Sequence, residues 1–167
     1  GKRITQQEAR LKEVQRANIS VNEIAKDLVE QIAFEARKSE YVDSKSGVSA
    51  RLTISAFENL IASAERRSII NNEKNASIRI ADFAGVIPSI TGKVELVYEG
   101  EQEGPGIVAQ NLVGKALRTQ FINYFPDPDK FRKQKEKSPY KKIANWFGDG
   151  NTIDLLNDVS QAEFEKT

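Results

Sequence analysis

The sequence predicts an all-α fold: a helical bundle of about four main helices, followed by a small C-terminal extension. Three observations predict it. Apolar residues recur at three- and four-residue steps over most of the chain, helix-start signatures precede the strongest of these stripes, and no series of alternating strands joined by hairpin turns is present. Hydrophobic residues make up 39% of the 167, enough for a buried core.

Each element can be justified in order. Thr5-Gln6-Gln7-Glu8 has the capping-box form, a hydroxyl and a carboxylate placed to satisfy free amides, and predicts a short polar helix to about Ala17. Ser20-Val21-Asn22-Glu23 repeats that form. Behind it Ile24, Leu28 and Ile32 follow at four-residue steps, with Ala25, Val29 and Ala36 beside them, so an amphipathic helix should run to about Lys38. The polar stretch Tyr41 to Gly47 reads as a loop. The next helix should start near Ser49 and end near Asn71, carrying Leu52, Ala56, Leu60 and Ala64 on one face with Phe57 and Ile61 beside them.

Ser77 to Ile80 fits a short extended piece, and Asp82 fits the cap of a brief helix that Gly85 and Pro88 interrupt. Ser89 or Thr91 should open a helix carrying Val94, Leu96, Val97 and Tyr98. The acid- and glycine-rich tract Glu99 to Gly106 reads as a loop. From Ile107 a long helix should carry Val108, Leu112, Ala116, Leu117, Phe121 and Phe125 until Pro126 stops it. Composition then changes. Pro126 to Lys142 is charged and punctuated by proline, as in a linker or projecting segment. Ile143, Trp146 and Phe147 form an aromatic anchor, and Ile153, Leu155 and Leu156 one last apolar element. The division expected is a bundle over residues 1–126 and a charged linker with a short extension over 127–167.

Composition excludes several chemistries. Cysteine and histidine are both absent, which removes disulfides, thiolate metal sites, the usual general base and every Ser-His-Asp or Cys-His arrangement. A net charge of +1 gives no global pull towards nucleic acid or anionic lipid. No apolar run approaches the roughly 20 residues of a membrane span. No signal-peptide pattern opens the chain, so a cytoplasmic location is expected. Methionine is absent too, even at position 1, and QAEFEKT at the other end reads as an unfinished helix. The chain has the look of a piece of something longer.

The candidate sites reduce to one. Gly114-Lys115 looks like the end of a phosphate loop, but Ala109 and Ala116 stand where GxxxxGK[ST] needs Gly and Ser or Thr. Glu99, Glu101 and Glu103 lack the spacing of a Ca²⁺ loop. The cations Lys130, Arg132, Lys133, Lys135, Lys137, Lys141 and Lys142 alternate with Phe131, Tyr140 and Trp146, a mixture that can grip phosphates and stack bases. Asp127, Asp129 and Glu136 dilute that field, so a solvated linker is favoured over a nucleic-acid surface. That leaves Arg51, planted in SGVSARLTIS in the first turn of a helix capped by Ser49, whose dipole opposes a cation there by some tenths of a kcal/mol. One reading is a surface arginine whose stem covers Ile54 or Phe57. The other is a guanidinium aimed at an anion outside this domain.

SGVSARLTISAFENLIASAERR, followed by RIADFAGVIPSITGKVELVYEGEQEG, resembles the region after the nucleotide-binding core in magnesium-chelatase-like AAA+ ATPases, with the MoxR-type proteins as close relatives. The resemblance covers residues 19–126. It implies that this region is the α-helical lid and that Arg51, the arginine of the S-x-R helix start, is the second-sensor arginine. That residue would contact the γ-phosphate of ATP, in this clade on a neighbouring subunit. It also implies a ring hexamer using ATP with Mg²⁺, with the upstream core of the same polypeptide and adjacent subunits as partners. Walker A, Walker B, the first sensor and the arginine finger are missing here, so the chain alone is not expected to be an enzyme. The alternative is a stand-alone helical adaptor that binds a protein or nucleic acid through residues 130–146.

Overall fold

A computed structural model describes residues 1–133, 137–154 and 158–166. In chain order it holds α1 (Lys2–Glu8), α2 (Glu13–Asn18), β1 (Ile19–Ser20), α3 (Glu23–Lys38), α4 (Ala50–Ile70), β2 (Ala76–Ser77), a 3₁₀ turn (Ile80–Val86) running into α5 (Ile87–Thr91), α6 (Tyr98–Glu103), α7 (Pro105–Tyr124), a second 3₁₀ turn (Pro128–Phe131), α8 (Lys141–Gly148) and α9 (Gln161–Phe164). The fold is all-α as the periodicity predicts. The one sheet among the described residues is a two-residue parallel pairing of Ile19 with Ala76 and Ser20 with Ser77.

The core follows from the apolar stripes. α3 packs on both α4 and α7, and α5 also touches both. Leu28, Val29 and Ile32 of α3 meet Leu52, Leu60 and Ile61 of α4 and Val108 and Leu112 of α7, all but fully buried. Each such side chain contributes roughly 1.5–3 kcal/mol by leaving water. Ala33, Ala36, Ala56, Ala64, Ala109 and Ala116 are fully buried between them, small enough to let the helices approach closely.

Several sequence expectations need correction. Thr5 does not cap a helix running to Ala17. It lies inside α1, buried, and α1 stops where Ala9 turns extended and seats in the core. α2 then starts separately. Ser20 is a strand residue, and Asn22 is the cap of α3, its side chain accepting from the Ala25 amide at 2.8 Å. Within α3, Ala25 faces inward and Ile24 is 40% exposed. The helix expected to carry Val94 to Tyr98 does not form. α5 ends at Thr91 and Gly92, and the chain runs extended beside the Tyr41 loop: Leu96 bridges Val42, Asp43 N donates to Glu95 O (2.9 Å) and Val97 N donates to Tyr41 O (3.0 Å).

The tract Glu99 to Gly106 is not a loop. It forms α6, a joint at Gly104 and the start of α7 opened by Pro105. Gly100 is buried in that helix because a Cβ there would lie 2.5 Å from the Tyr41 carbonyl. The glycine serves close approach, where the sequence reading took it for turn chemistry.

Beyond α7, the last described residues fold back on the bundle. Arg66 pairs with Asp158 at 2.8 Å and Asn71 donates to Asp158 O at 2.7 Å. Ser160 caps α9 through the Glu163 amide. Of the last expected apolar element, Ile153 is exposed outside any helix, and Leu155 and Leu156 lie outside the described residues.

Candidate functional site

Arg51 sits in the first turn of the longest helix. Ser49 is the N-cap of α4, its side-chain oxygen accepting from the Arg51 amide at 3.2 Å, and Leu52 N donates to Ser49 O at 3.0 Å. The residues after Arg51 are fixed from below. Leu52 is 1% exposed, and Thr53 is buried beside Thr5. The Thr5 hydroxyl donates to the Glu30 carboxylate at 2.7 Å and lies 2.8 Å from the Thr53 hydroxyl, itself 3.0 Å from the Ala50 carbonyl. This chain of buried polar groups ties the first turn of α4 to α1 and α3, and each member is satisfied by the others.

The approach to the helix is pinned as well. Gly47 takes a φ of +68°, a left-handed conformation that L side chains rarely adopt, and so turns the chain into Val48 and Ser49. Asp43 accepts from the Lys45 amide at 2.8 Å, and the Ser46 hydroxyl reaches both Asp43 and Glu95. Arg37 of α3 donates to Val48 O at 3.2 Å while its guanidinium lies over the Phe34 ring. The start of α4 is thus held by α1, α3 and the extended run after α5.

Upon that base Arg51 itself is exposed, and among the described residues its guanidinium has no hydrogen-bond or ion-pair partner. The first turn of α4 carries no acidic residue to answer it. A fork of five N–H donors projects from a fixed turn with no acceptor of its own.

The opposite end of α4 carries the arginine that sequence reasoning missed. Arg67 is 1% exposed. It donates to both Asp82 oxygens, at 2.9 and 3.4 Å, and to Ser77 O at 2.7 Å. Asp82 also accepts from the Arg79 amide at 2.7 Å. Arg79 in turn holds the tail, donating to Val159 O (3.0 Å) and Gln161 (2.9 Å) with its guanidinium 4.2 Å from the Phe164 ring centre. Burial, and next the Arg67 cation, lower the Arg79 pKa from its ordinary value. The signal was present: Arg67 follows Leu60 and Ala64 on the buried stripe, where a charge requires an internal partner.

The other candidates are placed apart from Arg51. Gly114 and Lys115 lie mid-way along α7. Glu99, Glu101 and Glu103 are exposed on α6, and no group of three or more acidic side chains among the described residues could hold a metal. In the basic stretch, Lys130, Lys133 and Lys142 are exposed, Arg132 is paired with Asp129 at 2.8 Å, and Lys135 lies outside the described residues. Tyr140 donates to Pro126 O at 2.6 Å and packs near Phe121. No helix among the described residues is long and apolar enough to cross a membrane.

Compared with known proteins, the chain matches no family model, no curated protein and no solved structure.

Proposed function

We propose that this chain is the helical lid, with a C-terminal extension, of an AAA+ ATPase of the magnesium-chelatase-like class, and that Arg51 is its second-sensor arginine. The observation that carries the proposal is an exposed guanidinium without a partner among the described residues, set on a helix start that three other elements hold still. The SGVSAR block that resembles the family's sensor helix is the same stretch. A cation that opposes the helix dipole and has no internal acceptor is suited to an anion arriving from outside the domain.

On this reading the lid supplies one contact and the core supplies the rest. Arg51 would reach the γ-phosphate of ATP held by the nucleotide-binding core or by a neighbouring subunit of a hexameric ring. The nucleotide and its Mg²⁺ bring the charge that the guanidinium meets. What the lid's own residues do is position: the Ser49 cap, the Thr5–Glu30–Thr53 chain and Leu52 fix the backbone from which the Arg51 side chain reaches out. An arginine on a fixed helix start can couple nucleotide state to domain orientation and stabilise charge on the transferred phosphoryl group.

The test is the full-length protein. Its coding sequence should carry a Walker A motif upstream of Gly1, and Arg51→Ala should cut ATP turnover by at least about tenfold, a modest share of what phosphate-contacting arginines supply. Turnover equal to wild type in the assembled enzyme rejects the assignment.

A further inference from the structure

The last described residues meet the bundle as a ligand meets a site. Arg66 and Asn71 at the end of α4, and Glu73 and Arg79 beyond it, grip residues 158–164. Asn71 donates to Asp158 O (2.7 Å), Arg79 Nη1 donates to Val159 O (3.0 Å), and the Gln161 amide donates to Glu73 (2.7 Å). The groups gripped in this way are backbone, which any extended segment offers. Arg66 pairs with the Asp158 carboxylate (2.8 Å), Arg79 Nη2 donates to the Gln161 side chain (2.9 Å), and the Arg79 guanidinium lies 4.2 Å from the centre of the Phe164 ring. These contacts read side chains: an acid, a glutamine three residues on and an aromatic ring three beyond that. Backbone bonds for affinity and spaced side chains for choice are the two halves of peptide recognition.

The receiving side is held from within the bundle, and the segment is not. Arg79 is 6% exposed, and its amide donates to Asp82, whose carboxylate Arg67 holds in turn. No side chain of residues 158–166 is buried, and α9 is one turn closed by its own Ser160–Glu163 box. A segment without buried apolar side chains lies at the low end of local stability. The fit is also incomplete. Arg79 Nε and Glu73 Oε2, both on gripping side chains, are buried without a hydrogen-bond partner among the described residues. A buried donor or acceptor left in that state is a standing cost. A segment that offers an acceptor to Nε and a donor to Oε2 would seat better than the chain's own.

We infer that Arg66, Asn71, Glu73 and Arg79 form a peptide-binding clasp, that residues 158–166 are its internal ligand, and that a segment of a partner protein with the pattern acid-x-x-Gln-x-x-aromatic takes their place. Being on the same chain, the internal ligand holds the clasp at a high effective concentration. The clasp is therefore closed until a better-fitting segment arrives. It lies at the end of α4 away from Arg51 and needs no nucleotide.

The test uses the full 167-residue chain, with a labelled peptide of residues 158–166, DVSQAEFEK, standing in for the partner segment. Asp158→Ala with Phe164→Ala in the chain releases the internal ligand and alters no buried side chain. By fluorescence anisotropy the released chain should bind the peptide with a Kd of about 0.1 mM or below, and wild type at least about tenfold more weakly, since its own segment competes. Replacing the peptide's phenylalanine by alanine should weaken binding at least about threefold, and that change leaves the protein untouched. Arg79→Lys in the released chain keeps the charge and loses the fork, and should weaken binding at least as much. In an isotope-labelled wild-type chain, excess unlabelled peptide should move the amide signals of Val159 to Phe164 to their positions in the released chain and leave those of α3 and α7 in place. Three results overturn the inference: a released chain that melts as wild type and binds no peptide at about 1 mM, equal binding by wild type and released chain, or binding that Arg79→Lys and the peptide substitution both leave unchanged.

Discussion

The two ends of α4 carry arginines in opposite circumstances. Arg51 is exposed in the first turn, while Arg67, four turns on, is buried with three hydrogen bonds to Asp82 and Ser77. The same side chain therefore does two jobs on one helix. Arg67 joins α4 to β2 and the 3₁₀ turn, and Asp82, its partner, also accepts from the amide of Arg79, whose guanidinium clasps the tail. The Arg67 charge is answered by Asp82, although its second terminal nitrogen, Nη1, is buried without a hydrogen-bond partner among the described residues. Arg51 has a fixed backbone and, among the described residues, no partner for its guanidinium, which on the proposed reading leaves it for an anion outside the chain. Burial and partner count separate a structural arginine from an exposed one that the proposed function assigns to an outside anion.

The sharpest way to break the comparison is to exchange expectations for the two ends. Arg67→Ala should cost about 3–5 kcal/mol, because Asp82 is left charged and buried without its counter-ion. Denaturant unfolding measures it, and a loss below about 1 kcal/mol would mean that the pair is not what holds this end. Arg79→Ala should cost less, about 1–2 kcal/mol from the lost hydrogen bonds, with the effect concentrated in the tail. Amide exchange should show residues 158–164 losing protection while α3, α4 and α7 keep theirs.

A smaller effect comes with pH. Hydrogen bonds from the Ser160 side chain, then from its amide, lower the Glu163 pKa from its ordinary carboxylate value. A group with a lowered folded pKa stabilises above its unfolded value and loses that contribution as pH falls through the folded one. The cap of α9 should therefore hold at neutral pH and loosen below about pH 4.5. The amide signals of Ser160 and Glu163 would report it, and Glu163→Gln should flatten the dependence. Smallest of all should be Arg51→Ala on stability, within about 0.5 kcal/mol of wild type, since it removes no internal contact and relieves a cation at a helix start.

How much of this was legible in the sequence follows the same division between local and distant causes. α4 was readable to within a residue because its stripe, its Ser49 cap and its Asn71 end are all local. The start of α3 was misplaced by two residues because two hydroxyl or amide side chains compete for one cap, and only packing decides that Asn22 wins. Residues 92–104 were read the wrong way round. Their conformation is set by backbone bonds to Tyr41 and Asp43, some fifty residues earlier, and by the fit of Gly100 against that loop. Arg51 was noticed from local physics, a cation at a helix start, but local physics left it between a surface arginine and an anion contact, and only the resemblance assigned it a role. Its anchoring by Thr5 and Glu30 was not legible, because a threonine in a capping-box pattern looks the same whether it caps or is buried.

The central claim is that Arg51 serves an anion beyond this chain, and steady-state ATP hydrolysis by the full-length Arg51→Ala protein, beside a thermal melt of the same sample, tests it most directly. The account predicts turnover reduced by at least about tenfold with melting unchanged. Turnover equal to wild type, in an enzyme that assembles and melts normally, would contradict it.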